Sequence, residues 1–352
     1  MSTRLSIVIP TYNRRERLAT VLAGLARQST PADDFEVVIV DDGSTDDTSA
    51  WLAEQRPRHG LRPIRQVNGG PARARNAGVQ AAQGELILFL DDDVEPTPDL
   101  VAEHLRMHEA ETDAVVIGPL ASLAHYRQPW VAWEQEKVEA QYRAMTRGDW
   151  KPTFRQFWTG NASLQKGHVL AAGGFDPEFL RAEDIELGWR LKERGLKFRF
   201  NPAARGLHHA QRSLESWKNV HRSYGRLEVN ILGRVGDPTL IAVLGDNLFH
   251  VHPAITWTML QALPNPRASA PLLATIEGII KAEAALGTQL VALEACSVLA
   301  NLLYWQASFE ALGPDRVARV IKNKDERIRK AGQPALRRWL RRRRTASEAS
   351  ST

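Results

Sequence analysis

Three short apolar runs, Leu5–Ile9, Phe35–Val40 and Glu85–Leu90, each stop abruptly at polar or acidic residues. The first runs into Pro10-Thr11-Tyr12-Asn13, the second into Asp41-Asp42-Gly43-Ser44, and the third into Asp91-Asp92-Asp93. Between the first two the apolar period lengthens to that of a helix, with Leu18, Val21, Leu22 and Leu25 at i, i+3, i+4 and i+7. A second helix is expected up to about Gln55, capped by Ser44 or Asp46, and a third from about Ala72 to Gln83, stopped by Gly84. Continuous apolar strands alternating with helices predict a mostly parallel sheet covered on both faces. Ligands of such sheets bind beyond the carboxyl ends of the strands. That is where this chain sets its acidic clusters.

The 352 residues, 43% hydrophobic and 25% charged, exclude disordered, collagen-like and coiled-coil readings and allow one large domain or two moderate ones. A single cysteine, Cys296, excludes a disulfide framework and a cysteine metal cluster, as expected of a cytoplasmic protein. The opening MSTRLSIVIP has too short an apolar run for a signal peptide or anchor. Ala284–Trp305 is the nearest approach to a membrane span, but Gln289, Glu294 and Asn301 interrupt it, so a buried helix is expected there. Shorter strands are expected at 114–117, 158–165 and 197–200, a helix over Glu183–Arg194 closed by Gly195, and helices throughout from Ser213. Charge is unevenly placed: residues 315–344 carry +10, which leaves −5 for the rest.

Five carboxylates at two strand ends would repel one another, so a cation or hydrogen-bond donors are expected among them. In an extended run Asp91 and Asp93 share a face and Asp92 turns away. Hard oxygen ligands of this kind suit Mg²⁺ or Mn²⁺, and a solvated acidic loop, with Asp93 or Asp99 capping a helix, is the alternative. Asp42 belongs to a helix-capping turn or meets a planar partner such as a nucleobase imide. Gly69–Gly78 (GGPARARNAG) joins a helix N-terminus to Arg73 and Arg75, which suits a diphosphate; solvated surface arginines are the alternative. It is neither G-x-G-x-x-G nor a P-loop. Glu183-Asp184 opens a helix, where acidic residues suit the dipole or, near a metal, supply a general base. His208-His209 offers a neutral imidazole ligand or two ordinary histidines. Asn161-Ala162-Ser163 matches a glycosylation sequon, taken as incidental.

In this order, SIVIPTYNR (6–14), VIVDDGSTDDT (38–48), GGPARARNAG (69–78), GELILFLDDDVEP (84–96), TGNASL (159–164), GGFDPEF (173–179) and EDIELGWRL (183–191) resemble the family 2 glycosyltransferases. The resemblance covers about residues 3–210. It implies a GT-A type, Rossmann-like α/β fold with flanking helices, followed by a helical C-terminal region. The expected domains are a catalytic 1–210, a helical 211–335 for acceptor, membrane or oligomer contacts, and a basic, disordered tail at 336–352.

The resemblance further implies metal-dependent, inverting transfer of a sugar from a UDP, dTDP or GDP donor to a hydroxyl of a glycan or lipid-linked acceptor. Carried over by position, Pro10, Tyr12 and Asp42 line the nucleoside pocket, while Arg75 and Asp92 lie near the nucleotide sugar. Asp91 and Asp93 hold Mg²⁺ or Mn²⁺, and His208, or His209 in its place, is a further ligand. Asp184 is the general base and Glu183 its neighbour. A cytoplasmic enzyme is expected, peripheral at the membrane through its basic C-terminus and homodimeric through its helices, with no nucleic-acid partner. Two other classes use similar parts. A nucleotidyltransferase needs a Gly-rich, lysine-bearing phosphate loop that SIVIPTYNRR lacks, and a silent binding module does not need Asp91, Asp93 and Asp184 together.

Overall fold

A computed structural model describes residues 3–123, 126–179, 181–250 and 266–331. The basic segment 336–352, expected to be disordered, lies outside the described residues. Two compact units divide the chain: Met1–Trp217 with Glu283–Leu293, and Lys218–Ala282 with Glu294–Thr352.

The first unit is built on β1 (Leu5–Thr11), β2 (Phe35–Asp41), β3 (Gly60–Arg65), β4 (Leu86–Leu90), β6 (Ala114–Ile117), β8 (Asn161–Gln165) and β9 (Lys197–Phe200). Their order in the sheet is β3-β2-β1-β4-β8-β6-β9. All pairings are parallel except those of β8, which runs against β4 and β6. Strand alternation sorts the apolar residues onto two faces. Ile7, Ile9, Val37, Ile39, Leu88 and Leu90 pack beneath α1 (Arg15–Leu25) and α4 (Leu100–Ala110). Val8, Val38, Val40, Ile87 and Phe89 face α3 (Pro71–Ala81) and α7 (Glu183–Glu193). Helix α3 lies close on the sheet, since a Cβ on Gly78 would meet Val8 Cγ1 at 2.3 Å. A smaller sheet, β5 (Val94–Pro96), β10 (Gly206–His208) and β7 (Leu120–Ser122), has β10 in the middle. Helices α2 (Thr48–Glu54), α5 (Pro129–Thr146) and α6 (Lys166–Ala171) complete the elements before residue 210.

A buried polar chain fixes the start of β8. Asn161 Nδ2 donates to the carbonyls of Pro119 and Ala204, so its Oδ1 is the acceptor for His104 Nε2–H at 2.9 Å. His104 Nδ1 then accepts from the Ser163 hydroxyl at 2.7 Å, and Ser163 Oγ accepts from His108 Nε2–H at 2.8 Å. Both tautomers are thereby set, and His108 Nδ1 is left buried with no partner among the described residues. Burial pushes His104 and His108 each down to about 4.

From residue 214 the described elements are helical: α8 (Leu214–Val235), α9 (Asp237–His250), α10 (Pro266–Leu286), α11 (Ala292–Leu312) and α12 (Pro314–Ala331). The second unit has its own core, with Val229, Leu240, Leu244, Leu302, Trp305, Phe309 and Val320 buried together. The single buried helix expected over Ala284–Trp305 is instead two: α10 ends at Leu286, Gly287 turns the chain at φ +68°, and α11 begins at Ala292. A left-handed residue cannot continue a right-handed helix. No helix among the described residues is long and apolar enough to cross a membrane.

Candidate active site

The crevice lies at the carboxyl ends of β1, β2 and β4. Beyond β2, Asp42 is buried and fully engaged: Oδ1 accepts from Gln66 Nε2 at 2.7 Å and Gly69 N at 2.9 Å, and Oδ2 from Gly70 N at 2.8 Å. The amides ahead of α3, which the sequence offers to a diphosphate, are thus held by a carboxylate of the protein. Gly43 makes this turn at φ +80°, where a Cβ would come within 2.8 Å of Asn68 N. Asp41 turns the other way. Burial works against its charge, but hydrogen bonds from Ser44 and Ser49 outweigh it and hold the carboxyl below its ordinary range.

Of the two residues expected to cap α2, Ser44 turns away and Asp46 bonds the first amide of the helix. The Ser44 hydroxyl accepts from Asn13 N at 2.9 Å, and Asp46 accepts from Thr48 N at 3.0 Å. Asn13, at φ +54°, accepts from Thr45 N in return, so the β1 and β2 loops are stitched together. Beside them Pro10 is half-buried and the Tyr12 ring is 45% exposed.

At β4 the expected alternation fails. Val94 N donates to Asp91 O at 3.1 Å, so residues 91–94 form a turn rather than an extended run. Asp92 and Asp93 therefore share a partner, Arg14 Nη1, at 2.8 and 3.0 Å. Asp92 also accepts from Thr11 Oγ1 at 2.7 Å, and Arg17 reaches Asp93 at 3.4 Å. Burial pushes Asp92 up to about 6, with Arg14 opposing. Arg14 and Arg17 meet the demand for cations among the carboxylates. Their signal in the sequence was positional, two arginines one helical turn apart at the start of α1.

Asp91 takes a separate partner, Arg75. This guanidinium is 7% exposed, donating through Nη2 to Asp91 Oδ1 at 2.8 Å and through Nη1 to Glu183 Oε1 at 2.7 Å. The Phe175 ring lies 5.8 Å from it, and Asn76 holds the Phe175 backbone through two 2.8 Å hydrogen bonds. Gly174, at φ +72°, makes room, since a Cβ would sit 2.6 Å from Asn76 Oδ1. The GGF motif is thus the seat of Arg75, a role that reading motifs one at a time does not disclose. Helix α7 starts from Ala182 in the left-handed region at φ +61°, then presents Glu183 and Asp184 to the crevice. Burial first, and the Glu183 charge second, push Asp184 above the ordinary carboxylate range, with Arg75 opposing.

Strand β10 separates the two histidines. His208 Nε2 lies 3.7 Å from Asp93 Oδ1, whereas His209 Nε2 meets Glu95 at 3.1 Å. His208 Nδ1 accepts from Gln135 Nε2 at 3.0 Å, and its carbonyl accepts from Tyr126 Oη at 2.7 Å. Among the described residues no three His, Cys, Asp or Glu side chains gather as a ready cation cage. The Asp93–His208 pair is nonetheless close enough for one hard cation to reach both after a shift of about half an ångström. Donors each about 2.1 Å from one octahedral ion stand roughly 3.0 Å apart when adjacent and 4.2 Å when opposite, and 3.7 Å lies between. Mg²⁺ and Mn²⁺ commonly take one or two protein donors and complete their shells with water and phosphate.

Behind Gln135 a cavity of about 1020 Å³ opens, lined by Ser122, Tyr126, Gln135, Glu136, Glu139 and Leu286 among others.

Residues 6–166 match the family model described as Glycosyl transferase family 2. Validoxylamine A glucosyltransferase of Streptomyces hygroscopicus subsp. jinggangensis (strain 5008) is 36% identical over 219 residues, which cover 54% of this chain and 52% of that protein. The chain thus spans about half the length of this curated relative. In fold it is similar to the mannosyltransferase PcManGT from Pyrobaculum calidifontis, solved with GDP-Man and Mn²⁺ (TM-score 0.56, 19% identity, 89% and 88% of the two chains). It is also similar in fold to TarS 1–349 of S. aureus, solved with UDP-GlcNAc (TM-score 0.52, 17% identity, 85% and 91%).

Proposed function

Because residues 6–166 match the model of glycosyl transferase family 2 and the fold is that of GT-A glycosyltransferases, we propose that the chain transfers a sugar from a nucleotide-diphosphate donor to an acceptor hydroxyl with inversion. One observation carries this reading. Arg75 ties Asp91, at the end of β4, to Glu183, beside Asp184, so the donor and base motifs share one buried ion-pair network.

Pro10, Tyr12 and Asp42 serve the nucleoside, with the exposed Tyr12 ring available for stacking and Asp42 holding the loop around the base. Asp91, Asp93 and His208, drawn together from their present positions, would hold Mg²⁺ or Mn²⁺, and the ion would supply a Lewis acid for the leaving diphosphate. Arg75 fixes Asp91 in place, and Arg14, shared with Asp92, fixes Asp93. Asp184 accepts the proton of the attacking hydroxyl. Its raised pKa improves it as a base while burial keeps water away. Arg75 balances the charge of Glu183 so that Asp184 still ionises.

The acceptor enters the cavity behind Gln135, where carboxylates and amides suit the hydroxyls of a glycan or lipid-linked sugar. The donor is a UDP, dTDP or GDP sugar; the structures similar in fold were solved with UDP-GlcNAc and GDP-Man. The enzyme works in the cytoplasm, against the membrane through its basic C-terminus and as a dimer through its helices.

A thermal-shift panel of UDP, GDP, dTDP and CDP, each with Mn²⁺ or chelator, tests the donor site. A metal-dependent rise for one nucleotide, lost in Asp91→Ala, is expected; no rise with any would reject the reading. Released nucleoside diphosphate marks transfer and released pyrophosphate marks nucleotidyl chemistry. Asp184→Asn should keep the nucleotide shift and lose transfer; lasting transfer would remove Asp184 as base.

A further inference from the structure

We propose that Gln135 is the positioning residue that sets the tautomer of His208 and so makes it competent to bind a cation. The inference rests on the reading of His208 as a metal ligand. Gln135, buried on α5, donates through Nε2 to His208 Nδ1 at 3.0 Å and accepts through Oε1 from the Ser122 hydroxyl at 3.1 Å. In this arrangement Nδ1 is the acceptor, so the neutral ring carries its proton on Nε2, the nitrogen that faces Asp93. A cation needs that nitrogen bare.

The neighbours allow the exchange. If the Gln135 amide turns over, Oε1 accepts from Nδ1–H and Nε2–H donates to Ser122 Oγ, because a hydroxyl serves equally as donor or acceptor. The ring loses one proton from Nε2 and gains one on Nδ1, with no change in charge and no hydrogen bond lost. An amide with a hydroxyl behind it thus serves both states, where a fixed carbonyl would serve one. Orienting partners of ligating histidines commonly govern 10- to 100-fold in metal affinity.

The test is Mn²⁺ affinity by electron paramagnetic resonance, in the presence of UDP or GDP, for wild type, Gln135→Leu, Gln135→Glu and His208→Ala. Gln135→Leu should raise the Mn²⁺ Kd about 10- to 100-fold, while nucleotide binding in chelator stays as in wild type. Gln135→Glu, which only accepts, should hold Nδ1–H and keep wild-type affinity or better. Wild-type affinity in Gln135→Leu would overturn the proposal, as would equal losses in Leu and Glu variants. His208→Ala separates the two levels. If it binds Mn²⁺ like wild type, His208 is not a ligand and the metal reading itself fails; if it alone loses Mn²⁺ while Gln135→Leu does not, only the role of Gln135 falls.

Discussion

Arg75 splits its guanidinium between two carboxylates that belong to different motifs, and its Nε–H has no partner among the described residues. Removing one member of a buried ion pair leaves an uncompensated charge, typically at about 3–5 kcal/mol. Arg75→Met should lose stability of that order in urea unfolding, and Arg75→Lys should lose part of it, because a single ammonium cannot reproduce the fork. Asp184 acts in the opposite sense. Its folded pKa lies above its unfolded one, so it favours the fold at low pH and opposes it once pH rises through the folded value. Asp184→Asn should therefore melt above wild type at pH 8, with the gap closing towards pH 4; a lower melting temperature at pH 8 would contradict the burial argument. Which residues are acidic, and at which strand ends, could be read directly from the chain. Which cation serves which carboxylate could not. The turn at 91–94 pairs Asp92 with Asp93 rather than Asp91, and Arg75 lies 108 positions from Glu183. Neither contact leaves a local pattern.

At the scale of elements, periodicity did well at β1, β2, β4 and β6, which are buried on both faces and so read as continuous apolar runs. The boundaries slipped where a polar side chain chose a tertiary partner over a local cap, as Ser44 did in bonding Asn13 rather than α2. Helix α4 and strand β8 show a contact that no periodicity reports. His104 and His108 read as an i, i+4 pair on the core face, yet Ser163 and Asn161 convert them into a directed polar chain. Their folded pKa values, about 4, lie below the ordinary 6.5. The neutral forms are the stable ones, so this contribution is complete above pH 6.5 and drains away as pH falls towards 4. Each histidine is worth on the order of 3 kcal/mol across that window. His104→Gln should flatten the acid limb of a stability-against-pH curve measured by chemical unfolding; an unchanged limb would assign the acid loss elsewhere.

For the whole molecule, sequence composition marks the change to helices near residue 210 but gives no sign that Glu283–Leu293 returns to the first unit. That return is made by an unremarkable turn after Gly287, where Glu283 accepts from the amides of Val291 and Ala292. Charge, by contrast, is visible at this scale, with +10 gathered in residues 315–344 against −5 elsewhere. Truncation after Ala335 removes six arginines, each worth about 1 kcal/mol near an anionic bilayer. Binding to phosphatidylglycerol vesicles should weaken at least about 100-fold, while neutral vesicles bind neither form. Equal binding by both forms would rule out the membrane role of the tail. The reversed strand β8 has a wider consequence. Its first residue, Asn161, stands opposite Leu90, and Gly160 O accepts from Asp91 N, so the excursion 123–160 ends against the donor motif. It begins at Ser122, the register partner of His208. Both ends of the excursion are therefore moored, and the exposed positions between them, unlike Tyr126 and Gln135 that touch His208, can be rewritten by substitution or insertion without disturbing the proposed donor side. A lineage built on this sheet can change its customers while keeping its currency: descent can diversify the acceptor and leave the donor side as inherited.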